Sequence, residues 1–189
     1  MKYCSSCGAQ VTLKVPPGDT LPRFVCETCD AIHYENPKVV VGCIPEWEGQ
    51  ILLCRRAIEP RYGLWTLPAG FMENGETAEQ AALRETWEEA KADVKSPTLY
   101  AVFSLPTVSQ VYIIFRAAMP TTQYGVGDES LEVRLFTVDE IPWKELAFTV
   151  MHETLKRYCQ DRHRAHFPVH LGTVGRLSDK SISLKPLSS

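Results

Sequence analysis

The sequence lacks the features that mark membrane proteins, secreted proteins and basic nucleic-acid binders. No apolar run approaches the ~20 residues needed to span a bilayer, so no membrane partner is expected. The formal net charge is −3, with 20 Lys and Arg against 23 Asp and Glu, which disfavours nucleic acid as a partner. The start Met1-Lys2-Tyr3-Cys4 runs straight into a cysteine motif and leaves no room for a signal peptide. We therefore expect a cytoplasmic protein of ordinary globular composition.

The cysteines do not fit a disulfide framework. They number seven, and Cys43, Cys54 and Cys159 stand alone in apolar surroundings, where small buried side chains are expected. The other four form two Cys-x-x-Cys pairs with eighteen residues between them: Cys4, Cys7, Cys26 and Cys29. This spacing is typical of a structural Zn²⁺ site. A pair of thiol redox motifs is the alternative.

Residues 1–33 form a separate unit with too few apolar residues to build a core, so a four-cysteine zinc ribbon would have to close it. Four thiolates leave no open coordination position on the ion, so the zinc would be structural. His33 lies nearby but is not expected to be a ligand, because the four cysteines complete the coordination shell. Zinc ribbons also serve as recognition modules, which gives a rival, non-catalytic class of function. Against it, the ribbon has few basic residues and no visible stacking platform.

The rest of the chain divides into a domain over 37–166 and a C-terminal tail over 167–189. Apolar runs between turn residues predict strands at 38–44, 51–55, 64–67, 98–104, 110–117 and 131–137. Residues 69–75 are expected to form a loop, 139–146 a short helical turn, and 149–163 an amphipathic helix. Mixed strands with one intervening helix and one late helix predict an α/β fold, an α/β/α sandwich around a mixed sheet.

A carboxylate-rich helix is predicted to begin at Thr77, where a capping box with Gln80 fits the sequence. Glu85, Glu88 and Glu89 are three and four residues apart, so they share one face of that helix. Like charges at this spacing repel, and a divalent cation such as Mg²⁺ or Mn²⁺ would relieve the repulsion. A solvated acidic face is the alternative.

Three neighbours of these carboxylates have predicted structural roles. Arg84 can bind Glu76 in fork geometry and so hold the preceding loop on the helix. Leu83 and Trp87, four residues apart, are expected to form the apolar face that packs on the sheet.

The order of these residues resembles the signature of the Nudix hydrolases. The matching positions are Gly70, Glu76, Arg84-Glu85 and Glu88-Glu89. Two positions depart from the family pattern, since Lys91 stands where glycine is usual and Thr86 where an aliphatic residue is usual. The resemblance implies a Nudix sandwich in which the three glutamates and the carbonyl of Ala69 bind Mg²⁺ or Mn²⁺. It also implies that water attacks a phosphorus of a diphosphate linked to another moiety.

A zinc ribbon ahead of a Nudix domain is similar to two groups of these enzymes. In NAD(H) pyrophosphatases, which also remove NAD caps from RNA, a characteristic Ser-Gln-Pro-Trp-Pro-Phe-Pro stretch follows the signature, and it is absent here. The stretches 36–43, 63–70, 84–90 and 129–136, and Gly172-Thr173 near the end, are similar to the plant-type FAD and ADP-ribose pyrophosphatases, so this resemblance is the more extensive one. That resemblance implies hydrolysis of FAD to FMN and AMP, or of ADP-ribose to AMP and ribose 5-phosphate. NAD(H) remains the alternative substrate.

The resemblance also assigns roles outside the signature. It offers Glu129 or Glu132 as the general base, although Glu132 is equally well a surface residue of its strand. From the residues themselves, phosphate binding is expected of Arg55, Arg56 and Arg61, and stacking on adenine or flavin of Tyr112 and Phe103. Phe115 is a further stacking candidate, but its alternating strand position favours core packing. Many relatives are homodimers, and the same is expected here.

Overall fold

The computed structural model describes residues 1–175, which fall into two compact units divided after Pro37. The first unit is a three-stranded antiparallel sheet with the strand order β1-β2-β3. Its strands are β1 (Val11–Lys14), β2 (Arg23–Cys26) and β3 (Ile32–His33). The core cluster of this unit consists of three small buried residues, Cys4, Val11 and Cys26, so burial of apolar surface alone stabilises the unit weakly.

The second unit is built on a mixed sheet with the order β10-β5-β4-β9-β8-β11, to which β6 and β7 attach at β5 and β4. Strands β4 and β9 are parallel, as are β8 and β11. The strands are β4 (Lys38–Trp47), β5 (Gln50–Arg56), β6 (Trp65–Thr66), β7 (Ala69–Phe71), β8 (Lys95–Leu105), β9 (Gln110–Ala118), β10 (Ser130–Phe136) and β11 (His170–Thr173).

One helix covers each face of this sheet. Helix α1 (Ala78–Ala90) packs on a core cluster that includes Val41, Leu52 and Phe115, and α2 (Thr149–Arg164) packs on the other cluster. Three short 3₁₀ turns complete the unit, at Pro106–Val108, Val138–Glu140 and Trp143–Glu145. The predicted α/β/α sandwich is confirmed. Within residues 1–175, neither helix has the length and apolar character needed to cross a bilayer.

The expected loop over 69–75 is wrong at its start, where Ala69–Phe71 pairs with β4 as strand β7. Gly42 of β4 makes this pairing possible. A Cβ at Gly42 would overlap the Ala69 side chain and the Pro68 carbonyl, so only glycine lets the two segments approach so closely. Strand β7 carries the Gly70 of the signature and is therefore fixed to the sheet.

The prediction that a separate tail begins at residue 167 is also wrong, because β11 pairs in parallel with β8. Asp161, in the last turn of α2, accepts hydrogen bonds from the Tyr100 hydroxyl (2.7 Å) and from His170 Nε2 (2.5 Å). The buried carboxylate thus ties β8, α2 and β11 together. Residues 176–189 of the expected tail lie outside the described residues.

The buried face of α1 differs from the predicted one. Ala81, Ala82, Ala90 and Thr86 are fully buried, whereas Trp87 is 49% exposed and Leu83 only partly buried. Small side chains let the helix approach the sheet closely, and the Thr86 hydroxyl can be buried because it donates to the Ala82 carbonyl at 2.8 Å. The assignment of Trp87 to the packing face was wrong, because the helix packs on the sheet through its small residues and leaves the Trp87 ring exposed.

Helix α1 begins and ends in well-defined caps. The predicted capping box of Thr77 and Gln80 is present. At the other end Lys91 adopts the left-handed conformation, with φ 48° and ψ 29°, and its N–H donates to the Trp87 carbonyl at 2.9 Å. The chain therefore leaves the helix with the geometry that glycine usually provides, at the steric cost of a Cβ.

Replacing Lys91 by Gly is expected to stabilise the fold, because it removes that Cβ. We expect a gain of about 1 kcal/mol in the free energy of unfolding, measured in urea. Lys91→Ala is the matched control, since alanine keeps the Cβ and should give no gain. Equal stabilities of the glycine and alanine variants would contradict this account of the helix end.

Candidate active site

The three glutamates of α1 lie beside strand β7. A Cβ on Gly70 would overlap the Glu85 carboxylate, so the signature glycine is needed to let that carboxylate lie against the backbone. Glu89 is only 6% exposed and accepts a hydrogen bond from the N–H of Ala69 at 3.2 Å. Glu85 and Glu89 therefore converge on one short strand, and Glu88 remains half exposed.

The predicted ion pair between Arg84 and Glu76 is present, and Arg84 makes several further contacts. Its Nε and Nη2 bind the two oxygens of Glu76 at 3.0 and 2.8 Å, and Nη2 also donates to the Phe71 carbonyl at 3.2 Å. Its Nη1 reaches Glu85 at 2.8 Å and Glu88 at 3.0 Å. One guanidinium thus fixes the loop after β7 and aligns two of the carboxylates on a common point.

The carboxylates are short of positive charge. Burial raises the pKa of Glu89 to about 8, and the charges of Glu85 and Glu129 act in the same direction, against the Ala69 N–H and Arg56. Burial, followed by repulsion from Glu88 and Glu129, raises the pKa of Glu85 despite its contact with Arg84. By contrast, Arg84 lowers the pKa of Glu76. Crowded carboxylates of this kind are stabilised as anions by a cation.

The donor set fits a hard divalent cation. Glu85, Glu88 and Glu89 offer carboxylate oxygens only, which suit Mg²⁺ and Mn²⁺ and not softer metals. Glu85 and Glu88 both contact the same nitrogen of Arg84, so their oxygens already face a shared position of positive charge. Ala69, whose carbonyl was assigned as a further ligand, lies beside them in β7.

The loop before β10 is anchored on the end of α1. Gly125 N–H donates to the Ala90 carbonyl at 2.7 Å, and Gly127 N–H donates to the Glu89 carbonyl at 3.1 Å. The carbonyl of Glu129 then accepts from Ala57 N–H at 2.8 Å. The loop therefore runs from the helix that carries the glutamates to the end of β5 and brings Glu129 to them.

Glu129 and Glu132, the two candidate bases, differ in their surroundings. Glu129 is carried by the loop anchored on the end of α1, and its charge adds a small contribution to the pKa of Glu85 and Glu89, which burial raises most. Glu132 lies on β10 opposite Arg55 and pairs with that residue at 3.7 Å. Only Glu129 is thus brought together with the carboxylates of α1.

Two of the three arginines assigned to phosphate binding brace the connection between β5 and β6. Arg55 Nε donates to the Gly63 carbonyl at 2.9 Å, and Arg56 Nε donates to the Pro60 carbonyl at 3.0 Å. Arg56 is largely buried, with its guanidinium 5.1 Å from the Phe148 ring centroid, and its charge lowers the pKa of Glu89. Arg61 is exposed in the same connection, with φ 70°.

The stacking role assigned to Phe103 is wrong, because its side chain has no exposed surface and belongs to the core on the α2 side of the sheet. Tyr112, at 7% exposed, belongs to the same core. Phe115 is also buried, as expected. Two features were not predicted from the sequence: the exposed ring of Tyr62, next to Arg61, and the anchoring on α1 of the glycine-bearing loop before Glu129. The Gly-x-Gly spacing of that loop was the available signal.

The four paired cysteines lie together as a cluster of potential metal ligands, with all four sulfurs within 4.8 Å of one another. Cys4 and Cys29 are 3.6 Å apart, and Cys7 and Cys26 are 3.5 Å apart. Tetrahedral Zn²⁺ with bonds of about 2.3 Å places sulfurs about 3.8 Å apart, so the donor set fits zinc. His33 Nε2 lies 3.3 Å from the Cys4 sulfur, within hydrogen-bonding distance.

Comparison with known proteins gives the family of the chain. The family model described as the NUDIX domain matches residues 36–158. The chain belongs to the Nudix hydrolase family. A second family model, Nudix N-terminal, which describes the family's zinc ribbon, matches residues 2–35.

Several known proteins are similar to this chain. A Nudix hydrolase of Nitrosomonas europaea with a crystal structure is 58% identical, with a TM-score of 0.90 over 93% of this chain and 100% of that one. An ADP-ribose pyrophosphatase of Methanocaldococcus jannaschii is 34% identical over 61% of this chain and 69% of its own length. An NAD-capped RNA hydrolase NudC of Chromobacterium violaceum is 26% identical over 86% of this chain and 60% of its own length. The chain thus spans about half to two thirds of the curated relatives it matches.

Zinc analysis of the purified, reduced Nudix hydrolase tests the cysteine site. We expect about one zinc ion per chain, and Cys26→Ser is expected to lose it because Cys26 supplies one of four ligands. His33→Ala is the matched control, since a histidine outside a complete thiolate shell can be removed without losing the ion. Zinc retained by Cys26→Ser but lost from His33→Ala would contradict the assigned ligands.

Proposed function

We propose that this Nudix hydrolase cleaves the pyrophosphate of a nucleoside diphosphate linked to another moiety, with ADP-ribose and FAD as its substrates. The observation that carries the proposal is the convergence of Glu85 and Glu89 on β7, beside Arg84. The relative named an ADP-ribose pyrophosphatase supports ADP-ribose. FAD is supported by the resemblance to plant-type pyrophosphatases.

Glu85, Glu88 and Glu89, with the carbonyl of Ala69, would hold Mg²⁺ or Mn²⁺. The bound ion supplies neutralisation of pyrophosphate charge and a lower pKa for a coordinated water. The chain contributes alignment, because Arg84 and β7 fix the carboxylates before substrate arrives. Arg56 lies near Glu89 and has no hydrogen-bond partner for its Nη groups within residues 1–175, so these are free to bind a phosphate oxygen. Arg61, exposed in the same connection, is a second phosphate ligand.

We assign the general base to Glu129 and not to Glu132. Glu129 is carried by a loop anchored to α1 and is close enough to Glu85 and Glu89 to raise the pKa of both. Its carboxylate would accept a proton from the attacking water. Glu132 lies instead on β10 opposite Arg55, whose guanidinium is 3.7 Å from its carboxylate.

Cleavage of NAD(H), free or as an RNA cap, is the second candidate function. It is favoured by the relative named NAD-capped RNA hydrolase, whose similarity extends over 86% of this chain. Binding of nucleic acid by the ribbon without catalysis is the third and would leave the carboxylate cluster without a role. We also propose a cytoplasmic homodimer.

A substrate panel separates these functions. With Mg²⁺ we expect release of AMP from ADP-ribose and from FAD, and slower turnover of NADH and NAD-capped RNA. Glu89→Gln is expected to reduce kcat at least about 100-fold, because a neutral amide binds the cation poorly. Glu79→Gln, on the exposed first turn of the same helix, is the control and should retain activity. Full activity of Glu89→Gln, or no turnover of any substrate together with tight RNA binding, would refute the proposal.

The base assignment has its own test. Glu129→Gln is expected to lower kcat by about 10²–10⁴-fold at neutral pH, the usual contribution of a general base. Glu132→Gln should stay within a few-fold of the parent. Activity of Glu129→Gln should recover partly at high pH, where hydroxide no longer needs a base. A larger loss in Glu132→Gln than in Glu129→Gln would reverse the assignment.

A further inference from the structure

The loop Gly125–Glu129 packs on the helix that carries the carboxylates, and its closest approach is at Gly127. A Cβ at Gly127 would overlap the carbonyl oxygen of Glu88 and lie 2.8 and 2.9 Å from the carbonyl carbons of Glu88 and Glu89. These are backbone atoms of a helix and cannot rotate away. Only a residue without a side chain therefore fits at this position.

Gly125, two residues earlier, is in a different situation. A Cβ there would meet only the Lys91 side chain, at 3.7 Å or more, which is ordinary van der Waals contact. Neither glycine has a positive φ, so alanine is compatible with the backbone conformation at both positions. The two sites thus differ in how closely the backbone approaches α1.

The close approach fixes where the loop goes next. Gly127 N–H binds the Glu89 carbonyl, and its own carbonyl accepts from Ser130 N–H at 3.1 Å, which closes a turn around Asp128 and Glu129. The carbonyl of Glu129 is held in turn by Ala57 N–H. Glu129 therefore lies between two backbone anchors, one of them on the residue that supplies a buried carboxylate to the cluster.

We propose that Gly127 is a positioning residue for the hydrolysis, because its contact with α1 fixes the loop that carries Glu129 against the helix of the metal-binding glutamates. This inference rests on the proposed function, in which Glu129 is the base. Helix α1 packs tightly on the sheet through the fully buried Ala81, Ala82 and Ala90. A side chain added at Gly127 is therefore expected to displace the loop and not the helix.

The test compares Gly127→Ala with Gly125→Ala in the full-length, zinc-loaded protein. Gly127→Ala should lower kcat for ADP-ribose about 10–100-fold, since a shift of about 1 Å in a reacting group costs about 10²-fold. KM and the Mg²⁺ concentration for half-maximal activity should stay within about twofold, because the carboxylates do not move. Gly125→Ala should match the parent. Zinc content and Tm of each variant show that it has folded.

A double-mutant cycle gives the decisive measurement. If Gly127 acts only through Glu129, then adding Gly127→Ala to Glu129→Gln should lower kcat by no more than about twofold further. If the double variant loses kcat by the product of the two single losses, the proposal is overturned. A kcat of Gly127→Ala equal to that of the parent would also overturn it. So would a Gly127→Ala variant that needs more Mg²⁺ but regains the parental kcat at saturating Mg²⁺. Full activity of Glu129→Gln alone would refute the base in the proposed function. Loss in Glu129→Gln without loss in Gly127→Ala would refute the positioning role only.

Discussion

The site depends on bringing like charges together out of water. Glu89 is almost fully buried, and Glu85 and Glu129 lie close enough to raise its pKa further. Burying like charges close together costs electrostatic free energy, and the contacts around the site offset part of this cost. A glycine in β7 makes room for one carboxylate, a backbone N–H of the same strand binds another, and Arg84 joins two of them to the loop. A bound cation would neutralise the repulsion between these carboxylates, and this relief would strengthen its binding.

Helix α1 organises the site from both of its ends. Its alanine face sets the distance to the sheet and hence to β7, which Gly42 allows to pair with β4. Its last carbonyls, which no residue of the helix can satisfy, bind the glycine loop that precedes β10. The same helix thus supplies the cation ligands and anchors the segment that carries Glu129, so the two parts of the site keep their geometry together.

The parts of this structure that follow local rules could be predicted from the sequence. The capping box at Thr77, the pairing of Arg84 with Glu76 and most strands depend on spacing along the chain. Strand β7, the burial of Phe103 and the exposure of Trp87 depend on which segments meet across the sheet, which periodicity does not reveal. The left-handed conformation of Lys91 also depends on tertiary contacts, because helix packing and the docked loop hold a backbone conformation that a residue with a Cβ disfavours.

The parallel strand β11 also bears on how the protein can be divided. The family model ends at residue 158, before Asp161 and the whole of β11. A fragment cut there would retain every carboxylate of the site but leave β8 as an open sheet edge, with unpaired amides and carbonyls exposed along it. Open edges recruit strands from other chains, so such a fragment would be prone to self-association. The strand that covers the edge of β8 thus lies outside the segment that the family model matches.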